Sequence, residues 1–171
     1  MQANRTDVVL QGGIAVLTVA LLSAIYSGIH ERVVVKGDDA PGFSITADNG
    51  KTVSLSSFGG KVLVLNFWAT WCPPCVEETP SLSQFAAEYG NKGVVVLAIS
   101  VDRDEKQYRA FLDKFKPGFM TARENKLHAD YGTFMYPETY IIDAKGKVVE
   151  KFPEAVDWSN PRVTSLINSL L

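Results

Sequence analysis

Cysteine and histidine are scarce in this chain of 171 residues, with two of each. The cysteines, Cys72 and Cys75, are too few for a multi-disulfide framework and leave no third thiol to mispair. The histidines, His30 and His128, stand far from that pair in sequence, so a zinc site would lack two ligands. An excess of positive charge is also missing: 17 Lys and Arg against 19 Asp and Glu leave a net charge of -2 and a pI near 5.7. Without a basic stripe there is nothing to hold a polyanion, which excludes nucleic acid as a partner. What is present is ordinary for a folded domain. An apolar share of 46% with 21% charged residues excludes disordered and collagenous readings, and the length accommodates one domain.

Charge is absent altogether from Val8 to Ile29. As a helix rising ~1.5 Å per residue, this run reaches across a ~30 Å hydrocarbon core and reads as a membrane span. A cleaved signal peptide and a buried core helix are the alternatives. The stretch Leu22-Ser23-Ala24-Ile25-Tyr26-Ser27-Gly28 has no convincing pair of small residues for a signal peptidase and no cysteine for a lipid anchor, so a retained signal-anchor is expected. Flanking charges do not choose an orientation, because Arg5 precedes the run and Arg32 and Lys36 follow it. Gly37, Pro41 and Gly42 then mark residues 30–40 as a linker, with the folded domain over residues 41–171.

Within that domain Phe43-Ser44-Ile45-Thr46 and Thr52-Val53-Ser54-Leu55 alternate around an Asp48-Asn49-Gly50-Lys51 turn, which predicts an opening hairpin. The nearly continuous apolar runs 62–68 and 94–100 predict strands buried on both faces. Leu82, Phe85, Ala86 and Tyr89 recur at helical spacing between them, with Gly90 as the stop, giving a parallel crossover. A second helix over Glu105–Phe115 is expected to cover the other side of the sheet. A weak strand near Phe119–Ala122, a short helix near Asn125–Tyr131 and an antiparallel hairpin around Asp143-Ala144-Lys145-Gly146 follow. Asn160-Pro161 opens a last helix with Val163, Leu166, Ile167 and Leu170 on one face.

The sequence Trp71-Cys72-Pro73-Pro74-Cys75 directly follows the first buried strand and starts the crossover helix. A cysteine in the first turn of a helix meets unpaired N–H groups and the positive end of the dipole, which stabilise a thiolate. Cys72 is therefore placed as a nucleophile. Cys75, one turn on, is placed to attack a mixed disulfide at Cys72 and release the partner. Pro73 and Pro74 each remove an N–H donor, which limits the acidity of Cys72 and suits a reductant more than a strong oxidant. Trp71 borders this site, whereas Phe67 and Trp68 belong to the core and His128 reads as a plain surface or helix residue.

The run Asn66-Phe67-Trp68-Ala69-Thr70-Trp71-Cys72-Pro73-Pro74-Cys75 resembles the active-site strand and turn of thioredoxin-like proteins. More closely, the chain is similar to the membrane-anchored TlpA/ResA-like thiol-disulfide oxidoreductases from Ala40-Pro41-Gly42-Phe43 through Gly60-Lys61 and Glu77-Glu78-Thr79-Pro80. The resemblance implies an α/β thioredoxin-like fold, a central mixed sheet flanked by helices with a hairpin extension. It places a helix kink at Pro80 and a cis-proline at Pro137, beside the disulfide, with Tyr136 before it contacting a partner's extended peptide together with Trp71, Pro73 and Pro74. Thioredoxin has a buried aspartate where this chain has Asn66. The resemblance gives the proton-accepting role to Glu78, on the helix face of Cys75; a solvated glutamate is the plain alternative, and Glu77 is expected to be one.

The implied activity is thiol-disulfide exchange on exported proteins, as a reductant in cytochrome c maturation or a related pathway, with apocytochrome c thiols as substrate and a membrane dithiol as electron donor. No cofactor or metal beyond the Cys72–Cys75 disulfide is expected, and the protein is expected to act as a monomer. Two alternatives are a membrane-tethered metallochaperone or binding module with a non-catalytic CxxC, and a peroxiredoxin-type peroxidase. The peroxidase motif has threonine three positions before its cysteine, where this chain has Ala69. Redox compartment then sets the topology: residues 1–7 in the cytoplasm, residues 8–29 in the bacterial inner membrane and residues 41–171 on the periplasmic side.

Overall fold

The apolar runs that the sequence marks as strands lie at the centre of a computed structural model. It describes the backbone of residues 5–29 and 33–171 and the side chains of residues 11–25 and 33–171. The chain divides into two units, Met1–Arg32 and Val33–Leu171. The first contains the helix α1 (Arg5–Ile29). Among the described residues no helix is long and apolar enough to cross a membrane; the span expected over residues 8–29 extends outside the described side chains at both ends.

The second unit runs β1 (Ser44–Thr46), β2 (Thr52–Ser54), β3 (Val62–Trp68), α2 (Pro73–Tyr89), β4 (Val94–Ser100), α3 (Glu105–Phe115), β5 (Met120–Arg123), α4 (Leu127–Asp130), β6 (Glu138–Ile142), β7 (Val148–Phe152) and α5 (Pro161–Asn168). Strands β1 and β2 pair as the expected hairpin. The other five form one sheet in the order β5-β4-β3-β6-β7, with β3, β4 and β5 mutually parallel and β6 antiparallel to both of its neighbours, β3 and β7. Every residue of β3 is buried, as its unbroken apolar sequence requires of a central strand covered on both faces.

Alternation along β3 sorts the core. Leu63, Leu65 and Phe67 face a cluster that takes in the hairpin residues Ile45 and Val53 and, from α4 and its C-terminus, Leu127 and Tyr131. Val62 and Val64 face Leu82 and Phe85 of α2 and Val163 and Ile167 of α5, while Trp68 on that side packs with Tyr108 and Phe111 of α3. The expectation that α3 would cover the opposite side from α2 is therefore corrected. The crossovers β3-α2-β4 and β4-α3-β5 step in the same direction across the sheet, and connections of one hand then put both helices on one face. The other face is closed by the hairpin, α4 and the segment before the hairpin.

That segment corrects a second expectation. The sequence predicts a linker over residues 30–40; residues 30–32 lie outside the described ones, but residues 34–40 belong to the fold. Val34 is 3% exposed and sits in the core. Backbone N–H groups of Val34, Gly37 and Ala40 donate to the carbonyls of Tyr131, Val148 and Gly146, and Asp39 bridges to Lys147. The end of α2 differs as well: a 3₁₀ turn, Gly90–Lys92, follows Tyr89, and the left-handed stop falls on Gly93 at φ 94° rather than on Gly90. Glycine reaches that φ without a Cβ clash.

Because Val34 is enclosed, the variant Val34→Ala is expected to lose about 2 kcal/mol, from two methyl groups and a partly relaxed cavity. Denaturant unfolding checks this; an unchanged midpoint would mean that the segment is a loose tether.

Candidate active site

Strand β3 ends at Trp68, and the chain turns through Ala69 to Trp71 before α2 begins. The turn is held from the loop that follows β4. Asp102, 1% exposed, accepts from the Thr70 N–H at 2.9 Å, the Thr70 hydroxyl at 2.7 Å and the Ser100 hydroxyl at 2.5 Å. Three donors on one buried carboxylate satisfy the charge and fix the loop that carries the cysteines.

Cys72 is the N-cap of α2 and is joined to Cys75 in a disulfide. Its Sγ accepts the Cys75 N–H at 3.3 Å. Pro73 and Pro74 occupy the intervening positions and have no N–H to offer, so one backbone donor remains where a helix start without proline offers more. On its other side Cys72 Sγ lies 3.4 Å from the carbonyl oxygen of Tyr136. A carbonyl dipole facing sulfur disfavours a thiolate, which acts in the same direction as the prolines. The Tyr136–Pro137 bond is cis and Pro137 is buried.

Around the disulfide the surface is apolar. Trp71 is 60% exposed and meets Tyr136 edge to face at 5.9 Å between centroids. Phe134 and Met135 are 59% and 73% exposed, and Pro73 and Pro74 are exposed too. His128, expected to be a plain surface or helix residue, lies in α4 and also braces this rim: its ring stands edge-on to Tyr136 and Phe134, and its Nδ1 lies 2.8 Å from the Thr133 carbonyl. Behind Pro137, Glu138 is buried, pairs with Lys151 at 2.9 Å and accepts from the hydroxyls of Thr133 and Tyr140. Neither His128 nor Glu138 carried a local signal, since both depend on where the loop 131–137 folds back. Phe67 and Trp68 are core residues, Pro80 lies inside α2, and Asn66 donates to Thr139 at 2.8 Å across the β3–β6 pair. Among the described residues no cluster of three or more His, Cys, Asp or Glu suits a metal ion.

Glu78 is 5% exposed, whereas Glu77 is exposed. Glu78 accepts from the Trp158 indole N–H at 2.5 Å and from the backbone of Val156. Burial pushes its carboxyl up to about 7, against the lowering effect of those two donors. This raised value makes it a group that changes charge near neutrality, one turn from Cys75. Its titration is also linked to stability. A carboxyl whose folded pKa exceeds its unfolded one binds more protons when folded, so its contribution is full below about 4.5 and is lost as pH rises through about 7. Relative to Glu78→Gln, the native chain is expected to lose about 3 kcal/mol of stability between pH 4 and pH 8. Unfolding curves of both proteins across that range check it, and parallel curves would contradict it.

Comparison with known proteins agrees with this geometry. The redoxin family profile matches residues 35–167. The thioredoxin-like protein YneN of Bacillus subtilis is 41% identical over 118 residues, 67% of this chain and 69% of that protein. The thiol-disulfide oxidoreductase ResA of the same organism is 30% identical over 154 residues, 88% of this chain and 86% of ResA. Among solved structures, a thiol:disulfide interchange protein from a Bacteroides species superposes with a TM-score of 0.69 at 26% identity, covering 79% of this chain and 91% of that one. With its disulfide at the start of α2 beside a cis-proline, the chain belongs to the redoxin family, as a thioredoxin-like thiol-disulfide oxidoreductase of the TlpA/ResA type.

Proposed function

We propose that this oxidoreductase works as a reductant of disulfides in exported proteins, within cytochrome c maturation or a related extracytoplasmic pathway. The observation that carries the reading is the seat of Cys72: one backbone donor at its sulfur, a carbonyl facing it, and an exposed apolar rim of Trp71, Phe134 and Met135 around it. A moderately acidic thiol is a competent nucleophile whose disulfide is not readily reduced by partners, which drives electrons outward.

In the reductive half-reaction the Cys72 thiolate attacks one sulfur of the substrate disulfide. A Cys72–substrate disulfide forms and the other substrate sulfur leaves as a thiolate, which takes a proton from water. Glu78 then accepts the proton of the Cys75 thiol, and the Cys75 thiolate attacks Cys72 Sγ. The Cys72–Cys75 bond forms, the mixed disulfide breaks, and the substrate has gained two electrons that the protein dithiol has lost. A membrane dithiol restores the pair by the same exchange in reverse, and no other cofactor or metal takes part. The extended substrate segment lies along the backbone of Tyr136 and Pro137, with Trp71, Pro73 and Pro74 on its other side. The disulfide of oxidised apocytochrome c is the substrate that the family resemblance favours, its two thiols being the product, and the protein acts as a monomer.

The uncharged run at residues 8–29 supports retention in the bacterial inner membrane, with residues 1–7 inside and residues 41–171 on the periplasmic side, where a protein disulfide survives long enough to need a dedicated reductant. Cys72→Ser is expected to bring insulin disulfide reduction to the uncatalysed background, while Cys75→Ser accumulates a mixed disulfide that is resolved by added thiol. Turnover by Cys72→Ser would overturn the assignment of the nucleophile. Protease added to intact spheroplasts is expected to digest residues 41–171; protection of that domain would contradict the topology.

A further inference from the structure

Trp158 lies in the loop between β7 and α5, 80 positions from Glu78 in sequence, yet its indole N–H ends on the Glu78 carboxylate at 2.5 Å. The indole is 1% exposed. Its ring is fixed by Phe85 of α2 at 5.1 Å and by Phe152 of β7, edge to face, at 6.2 Å. An indole has a single donor and no acceptor, so its one polar group is committed to Glu78. Core packing alone does not demand that pairing. Trp68, 4% exposed, packs against Tyr108 and Phe111 with no partner among the described residues for its own N–H.

We propose that Trp158 is a positioning residue for the resolving step: its indole N–H, held by the two aromatic rings, fixes the Glu78 carboxylate and favours its ionised form, the form that takes the Cys75 proton. This rests on the proton-accepting role assigned to Glu78. The charged and polar side chains around this bond are exposed or engaged elsewhere. On α2, Glu77 is exposed; on the 153–160 loop and the start of α5, Glu154, Asp157 and Arg162 are exposed and Asp157 is engaged with Ser159. Lys151 on β7 is paired with Glu138, and Asn66 on β3 carries no charge. Besides Trp158, the backbone of Val156 is the other group that lowers the Glu78 carboxyl, and a side-chain substitution at position 158 leaves that backbone donor in place.

The test uses the full-length chain in detergent, reduced and mixed with insulin as the disulfide probe. The rate of the resolving step is followed from pH 5.5 to pH 9. The native rate should fall as pH drops through the Glu78 titration. Removing a donor that stabilises the carboxylate raises the Glu78 pKa, so Trp158→Phe should move that inflection to higher pH by about one unit, with a ~tenfold lower rate below it. Glu78→Gln should remove the inflection, and adding Trp158→Phe to it should change nothing further. An inflection lost in Glu78→Gln but unmoved in Trp158→Phe overturns the role of Trp158 and leaves that of Glu78 standing. An inflection retained in Glu78→Gln overturns Glu78 first. Should Trp158→Phe not fold, the indole N–H resonance of Trp158 in the native chain decides: it should titrate with the midpoint of the rate profile and lose that titration in Glu78→Gln. A resonance that does not move across the inflection contradicts the proposal.

Discussion

Burial of β3 on both faces is the constraint on which the rest depends. A strand with no exposed residue has to leave the sheet at its end, and this one does so at Trp68, where the chain turns into the first residues of α2. The cysteines therefore sit where a parallel strand feeds a helix, with the helix N-terminus at the carboxyl end of the central strand. Everything else at the site is brought to that point from elsewhere in the fold. Asp102 holds the turn from the loop after β4, Pro137 approaches from the start of β6, and Glu78 and Trp158 meet beneath α2.

Electrostatics at this point work by restraint. A helix start without prolines presents several N–H groups to an N-cap sulfur, whereas Pro73 and Pro74 leave the Cys75 N–H, and the Tyr136 carbonyl opposes it. Where thioredoxin has a buried aspartate, Asn66 is neutral and bonded to Thr139. The ionisable group has shifted to α2 itself, where burial raises Glu78 into the range in which it exchanges protons near neutral pH. The Cys72 sulfur and the Glu78 carboxyl are thus tuned by different means, the first by missing donors and the second by desolvation offset by two donors.

Much of this was legible in the sequence because it is local. The hairpin, the buried strands, the two crossover helices and the proline-started last helix each announce themselves through period, turn residues or caps. The Cys-Pro-Pro-Cys motif located the site for the same reason, and its place after an apolar strand distinguished it from an isolated CxxC. What was not legible depends on contacts between distant segments. Residues 34–40 are of mixed composition, and what makes them part of the sheet's cover is the burial of Val34 in the core and backbone bonds to residues 131, 146 and 148. The face occupied by α3 follows from the direction in which the strands step across the sheet, which no periodicity within α3 encodes. Trp158 and His128 had no local signal at all, since their partners lie on other elements.

Whether this dithiol delivers electrons is decided by the reduction potential of the Cys72–Cys75 couple. A thiol with few donors and a disulfide that resists reduction should give a value in the region of thioredoxin, roughly -270 mV, measured by equilibration with a glutathione or dithiothreitol buffer. A value near roughly -120 mV, that of a strong oxidant, would mean that the thiolate is well stabilised after all and that electrons flow into this protein from its substrates.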